Sequence, residues 1–176
     1  QCDKYFRMNL VWLEGITNKG KKGNTHRIVN YRIASQNAEP FEEMIPKYGI
    51  PNVDFLHCTR ELKLNPMLSY VRSIGWKKYY TAIGMRADEP LRFDKKAKEK
   101  KFIYPLAALD ITKPDVIDFW KKMPFDLSIE EREGNCVDCF KKTDLKHVMN
   151  IKRNPEWYES NKRMERDFGT LVPSSQ

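Results

Sequence analysis

Two groups of cysteines, far apart along the chain, are the residues whose type and spacing could do chemistry. Cys58 lies in His57-Cys58-Thr59-Arg60, and after 77 further residues comes Cys136-Val137-Asp138-Cys139. A Cys-x-x-Cys pair offers two sulfurs to one ion from a single turn, and a distant third thiolate closes such a site where the fold returns it. Three of the four cysteines therefore predict a metal site.

The elements that must hold these sulfurs belong to a chain of 176 residues, the size of one domain, with neither repeats nor low-complexity runs. No apolar stretch approaches the roughly eighteen residues of a membrane span, and no signal-peptide succession opens the chain. A cytoplasmic protein with no membrane partner is expected, in which Cys-x-x-Cys is metal or redox chemistry rather than a structural disulfide. Charge is uneven: residues 1 to 100 hold 19 Lys and Arg against 11 Asp and Glu, while 101 to 176 hold 13 of each, so the whole excess of +8 lies in the first part. A basic excess admits phosphate, in nucleotides or nucleic acid, as partner, and also occurs on plain solvated surfaces. The lysine runs 19 to 22 and 95 to 101 are expected as mobile, solvated loops.

Along the chain, Cys2 to Phe6 reads as the end of a helix and Leu10-Val11-Trp12-Leu13 as a buried strand. Gly20 to Asn24 marks a flexible loop, and Glu39 to Tyr48 a helix with Phe41, Met44 and Ile45 on one face. Asn65-Pro66 supplies a cap and first-turn proline for a helix ending near Gly75, its apolar face carrying Leu68, Val71 and Ile74. Tyr79 to Met85 is strand-like and leads into Arg86-Ala87-Asp88-Glu89-Pro90. In open α/β sheets ligands bind beyond the carboxyl ends of strands, which makes Arg86, Asp88 and Glu89 pocket candidates, with a loop of local ion pairs as the alternative. Thr112 to Met123 is a capped helix with Pro114 in its first turn. The helix-strand alternation predicts an α/β fold with a largely parallel sheet: residues 1–110 as sheet core, 111–176 as a helical C-terminal part carrying the Cys-x-x-Cys pair, all in one domain.

The strings His57-Cys58-Thr59-Arg60-Glu61-Leu62-Lys63-Leu64-Asn65-Pro66, Ile83-Gly84-Met85-Arg86-Ala87-Asp88-Glu89, Pro124-Phe125-Asp126-Leu127 and Gly134-Asn135-Cys136-Val137-Asp138-Cys139-Phe140-Lys141-Lys142 resemble those of phosphoadenosine phosphosulfate reductase-like proteins, common in bacteriophages and bacteria. The resemblance covers nearly the whole chain. It implies the PP-loop (adenine-nucleotide α-hydrolase) superfamily and its doubly wound, mostly parallel sheet, which binds ATP or a sulfonucleotide, with Mg²⁺, at its strand ends. The superfamily's Ser-Gly-Gly-x-x-Ser phosphate loop is nowhere in the sequence. The resemblance places it roughly fifty residues before Gln1, from the size of a βαβ unit, so an N-terminally incomplete domain is expected. A homodimer or a partner chain could then supply the loop.

Reductases of the iron-sulfur type have two adjacent cysteines where this chain has Cys58-Thr59; Leu62 stands where an arginine would be, while Lys63 and Pro66 keep the pattern. The resemblance implies a four-iron four-sulfur cluster on Cys58, Cys136 and Cys139, with one iron open unless His57 or Cys2 fills it. Zinc is the alternative, three Cys and one His being a closed tetrahedral set. No cysteine follows Cys139, and a sulfate-assimilating reductase needs a further attacking thiolate, which disfavours that reaction. What the resemblance then implies is ATP-dependent activation followed by sulfur transfer or nucleic-acid modification. Cys58, Lys63 and Arg86 would take part in the chemistry, and Arg60, Lys63, Arg86, Asp88 and Glu89 would bind the nucleotide.

Among the other residues, His26 and His147 read as surface positions and the four tryptophans as packing residues. Asn154-Pro155-Glu156 opens a helix expected to dock over the cysteine site, and Leu171 to Gln176 a frayed end. Two non-catalytic classes stand beside the enzyme: a metal-stabilised nucleic-acid-binding module, and an inactive accessory remnant.

Overall fold

The computed structural model describes residues 1–134 and 136–169. Asn135 of the cysteine motif and the Leu171 to Gln176 tail lie outside the described residues. The chain divides into two units, one of Gln1 and Trp76–Ser128, the other joining Cys2–Gly75 to the chain from Ile129 on. This grouping differs from the 1–110 and 111–176 division expected from sequence. The C-terminal helices group with the first 75 residues because they share one apolar core, in which Met44, Ile45 and Tyr48 meet Met164.

In the larger unit, helix α1 (Cys2–Phe6) precedes strands β1 (Trp12–Ile16) and β2 (Thr25–Val29), which form an antiparallel hairpin pairing Trp12 with Val29 and Ile16 with Thr25. β1 starts two residues later than the strand expected at Leu10; Leu10 and Val11 before it and Trp12 on its outer face are exposed rather than buried. The cross-strand pair Glu14 and Arg27, at 2.6 Å, fixes the register on that face. The loop expected to be free is tied down, because Lys47 Nζ donates to the carbonyls of Asn18 at 2.7 Å and Lys21 at 2.6 Å.

Helix α2 (Glu39–Tyr48) has Pro40 in its first turn, glutamates at its start and Lys47 at its end, each matching the backbone groups or dipole there. Gly49, at φ 80° and ψ 174°, ends it in a positive-φ, extended conformation that favours glycine. Phe41, Met44, Ile45 and Tyr48 recur at helical spacing, and Met44 and Ile45 are completely buried, each stabilising the fold by about 1.5–3 kcal/mol.

The helix expected to start at Asn65 begins eight residues earlier. Helix α3 (His57–Thr59) runs into a π-helical turn, Arg60–Leu64, and on into α4 (Asn65–Ser73). The Asn65 amide donates to the Arg60 carbonyl five residues back. An α-turn here would drive the Pro66 ring into the carbonyl four residues earlier; widening it relieves that clash, so a proline that reads as a start signal is accommodated mid-helix. Leu68 and Ile74 of α4 are exposed. The hairpin instead meets Pro66, Ser69 and Tyr70: His26 Nδ1 lies 2.8 Å from Ser69 Oγ, its ring edge-on to Tyr70.

In the smaller unit, β3 (Thr81–Ala82) and β4 (Phe102–Ile103) pair in parallel. They are followed by helix α5 (Pro105–Ala108) and by α6 (Lys113–Lys121), whose Thr112 and Asp115 form the expected capping box. The two two-stranded sheets are all the sheet that the described residues form. The doubly wound parallel sheet is not among them and stands as a proposal from the resemblance. The larger unit closes with α7 (Asp144–Arg153), a 3₁₀ turn at Pro155–Tyr158, and α8 (Glu159–Phe168). Ser160 and Arg163 of α8 both bond Glu42 of α2. Among the described residues no helix is long and apolar enough to cross a membrane.

Candidate functional site

Cys58 sits in the first turn of α3, half-buried, against the Met44, Ile45, Tyr48 and Met164 core. The Cys136 to Cys139 turn is closed by the Cys139 amide on the Cys136 carbonyl, and Lys142 on the Cys139 carbonyl continues it. Two residues from the C-terminal helices anchor this turn: Asn150 Nδ2 and Tyr158 Oη reach the Val137 carbonyl at 3.3 and 3.4 Å. His147 Nδ1 is 3.0 Å from the same Tyr158 hydroxyl. The segment opened by Asn154-Pro155 therefore does meet the cysteine turn. Met164, six residues beyond Tyr158, belongs to the cluster against which Cys58 packs, so one stretch of chain holds the Cys-x-x-Cys turn and helps build the core beside Cys58.

The electrostatics carry the same juxtaposition. Cys136 is exposed as a residue, but partial burial of its sulfur pushes the thiol above its ordinary value; the Lys63 ammonium opposes this, and Cys139, Asp138 and Cys58 add like-charge repulsion. Cys58, with 77 residues intervening, and Lys63 thus both act electrostatically on Cys136. The negative charge that ionisation of Cys136 would create here is what a cation would relieve. As they stand, no three His, Cys, Asp or Glu side chains among the described residues are placed to hold a metal ion.

His57 is buried beside the Tyr48 ring. Its Nε2 lies 2.8 Å from the Gly49 carbonyl, and a carbonyl only accepts, so Nε2 carries the proton and Nδ1 the lone pair. That Nδ1 is buried with no hydrogen-bond partner. Burial keeps the ring below the usual imidazole value, hence neutral.

The nucleotide candidates fall into two places. Lys63 and Arg60 lie exposed on the π turn, with Arg60 paired to Glu61 at 2.8 Å. Arg86, Asp88 and Glu89 belong to the smaller unit and bond one another: Arg86 reaches Asp88 at 2.9 Å and Glu89 at 3.3 Å, and Glu89 also takes Arg92. Hydrogen bonding to Asp88 raises the Arg86 guanidinium's value, and Arg86 holds Asp88 below the ordinary carboxylate range. That is the local ion-pair loop weighed as the alternative to a pocket.

Several residues that matter here escape the sequence motifs. Glu61 is only 2% exposed, accepting from Asn24 N at 3.0 Å, Asn65 Nδ2 at 3.1 Å and Arg60 Nε at 2.8 Å. Burial alone would raise its value, but these donors outweigh it and hold the carboxyl below the ordinary range. Asn150 is fully buried, and its one sequence signal is a polar residue one turn from His147 on α7. His147, expected at the surface, is tied to Tyr158. Trp12, Trp76 and Trp157, expected as packing residues, are exposed.

No family model matches the chain, and no solved structure does. An uncharacterized nin region protein, ORF290, of Escherichia phage lambda is 46% identical to it over 110 residues, covering 61% of this chain and 37% of that protein. The chain is thus similar to a phage protein and spans just over a third of its length.

Proposed function

We propose that this chain is part of a phosphoadenosine phosphosulfate reductase-like, PP-loop protein of phage type that activates a substrate with ATP and transfers sulfur to it, with Cys58, Cys136 and Cys139 as its sulfur centre. The observation that supports this best is that Tyr158 bonds the Val137 carbonyl of the Cys-x-x-Cys turn while Met164, on the same stretch of chain, belongs to the core against which Cys58 packs. Bare core packing would not require one segment to serve two cysteine groups so distant in sequence.

Three thiols suit a soft metal centre, a four-iron four-sulfur cluster or, as the alternative, zinc. Cys58, Cys136 and Cys139 would hold it. His57 has the tautomer that a ligating imidazole needs, its other nitrogen tied to a backbone carbonyl. When bound, a cluster with an open iron would supply a place for the sulfur to be transferred. Lys63 would offset phosphate charge on the adenylate. Arg86, Asp88 and Glu89 enter as nucleotide ligands by resemblance alone.

Anaerobic purification with iron, sulfide and zinc analysis tests this reading. Wild-type protein should carry stoichiometric iron and sulfide, or zinc, and Cys58→Ser and Cys136→Ser should each lose most of it. Protein that takes up neither metal on reconstitution, or that keeps it in Cys58→Ser, sinks the proposal.

A further inference from the structure

A cavity of about 600 Å³ opens between the β1–β2 loop and the face of the π turn and α4. It contains none of the cysteines. Its volume falls in the range of sites for nucleotide-sized molecules, roughly 300–1,000 Å³. Lys21, Lys22, Arg60 and Arg72 line it, with Glu61 as the single carboxylate. Glu61 is consumed by Arg60 and by the amides of Asn24 and Asn65. Among the described residues Lys21, Lys22 and Arg72 have no ion-pair partner, so three cations of one concave wall are left uncompensated.

A second observation concerns a different atom of the same wall. Asn24 is 4% exposed; its backbone amide goes to Glu61 and its Nδ2 to Thr17 Oγ1. Its Oδ1 is buried with no hydrogen-bond partner. Buried acceptors are rarely left in that state, but this oxygen is closed off from the cavity, so it is the cations that face a ligand there. Concave walls with several unpaired cations concentrate multiply charged anions, and a cavity of this size holds a nucleotide-sized ester where inorganic phosphate would leave it largely unfilled.

We propose that this cavity binds a phosphate ester of nucleotide size, as in a nucleotide or a nucleic-acid strand, with Lys21, Lys22 and Arg72 on the phosphate. The site is independent of the thiol centre, so metal analysis and phosphate-ester binding can fail separately.

Calorimetric titration of the whole chain with inorganic phosphate, adenosine monophosphate and a twelve-residue oligouridylate tests it. One or both esters should bind more tightly than inorganic phosphate. The exposed pair Lys21→Glu with Lys22→Glu should weaken that binding roughly tenfold or more, and Arg72→Ala should weaken it in the same direction. For the oligonucleotide, losing two phosphate contacts should also lower the salt slope by about 1.4. The pair Lys95→Glu with Lys98→Glu, equal in charge and remote in sequence, should leave binding unchanged. Preference for the monophosphate or for the strand identifies the natural source. The proposal is overturned if neither ester binds, if inorganic phosphate binds as tightly, or if the control pair weakens binding equally.

Discussion

Glu61 shows how one side chain can join two elements. A carboxylate that is 2% exposed survives in the interior because it accepts from a backbone amide, an amide side chain and a guanidinium, which offsets the cost of removing charge from water. Its folded-state value lies below the ordinary one. Its stabilisation is therefore complete above the unfolded value, near 4.3, and is lost as pH falls through the lower folded value. Glu61→Gln should destabilise the larger unit by about 1–3 kcal/mol at pH 7, with wild type and variant converging in strong acid. Urea denaturation across that pH range checks this; a gap that persists once both forms are protonated would assign the effect to packing instead.

At the scale of elements, the helical run from His57 to Ser73 presses against β1 so closely that the strand carries a glycine. A Cβ on Gly15 would meet the Glu61 carbonyl at 3.2 Å, Leu62 Cδ2 at 3.3 Å and Pro66 Cγ at 3.3 Å. In an open strand, Gly→Ala stabilises by roughly 0.5–1 kcal/mol, because it removes freedom from the unfolded chain. Here the sign should reverse, Gly15→Ala costing about 1–3 kcal/mol by overpacking, as read from thermal or urea denaturation. A stabilised Gly15→Ala would show that the run and the strand are not in this contact. The same closeness explains why Asn65-Pro66 misleads as a helix start. Capping signals are local, whereas the π turn that lets the helix pass through Pro66 also turns Glu61 inward to the hairpin.

Across the whole molecule, burial is one-sided. Every buried residue belongs to the unit made of Cys2–Gly75 and the chain from Ile129 on, while none of Trp76–Ser128 is buried. Segments with few buried contacts open at low free energy. Hydrogen-deuterium exchange should therefore find the amides of β3, β4 and α6 exchanging well ahead of those of α2 and α4. Equal protection would mean that Trp76–Ser128 is covered in solution by something further.

How much of this was legible depended on distance along the chain. Helix α2 with its end at Tyr48, the capping box of α6 and the Cys-x-x-Cys turn are written in residues a few positions apart, where spacing, first-turn prolines and caps act directly on the backbone, so sequence by itself determined them. Only the tertiary structure decided that one C-terminal stretch reaches both the core beside Cys58 and the Cys-x-x-Cys turn, that Asn150 and Tyr158 grip Val137, that Glu61 is buried, and that three lysine and arginine side chains share a cavity wall. Those facts join residues tens of positions apart, and burial and charge pairing are properties of the neighbours that folding supplies, which residue type alone does not encode.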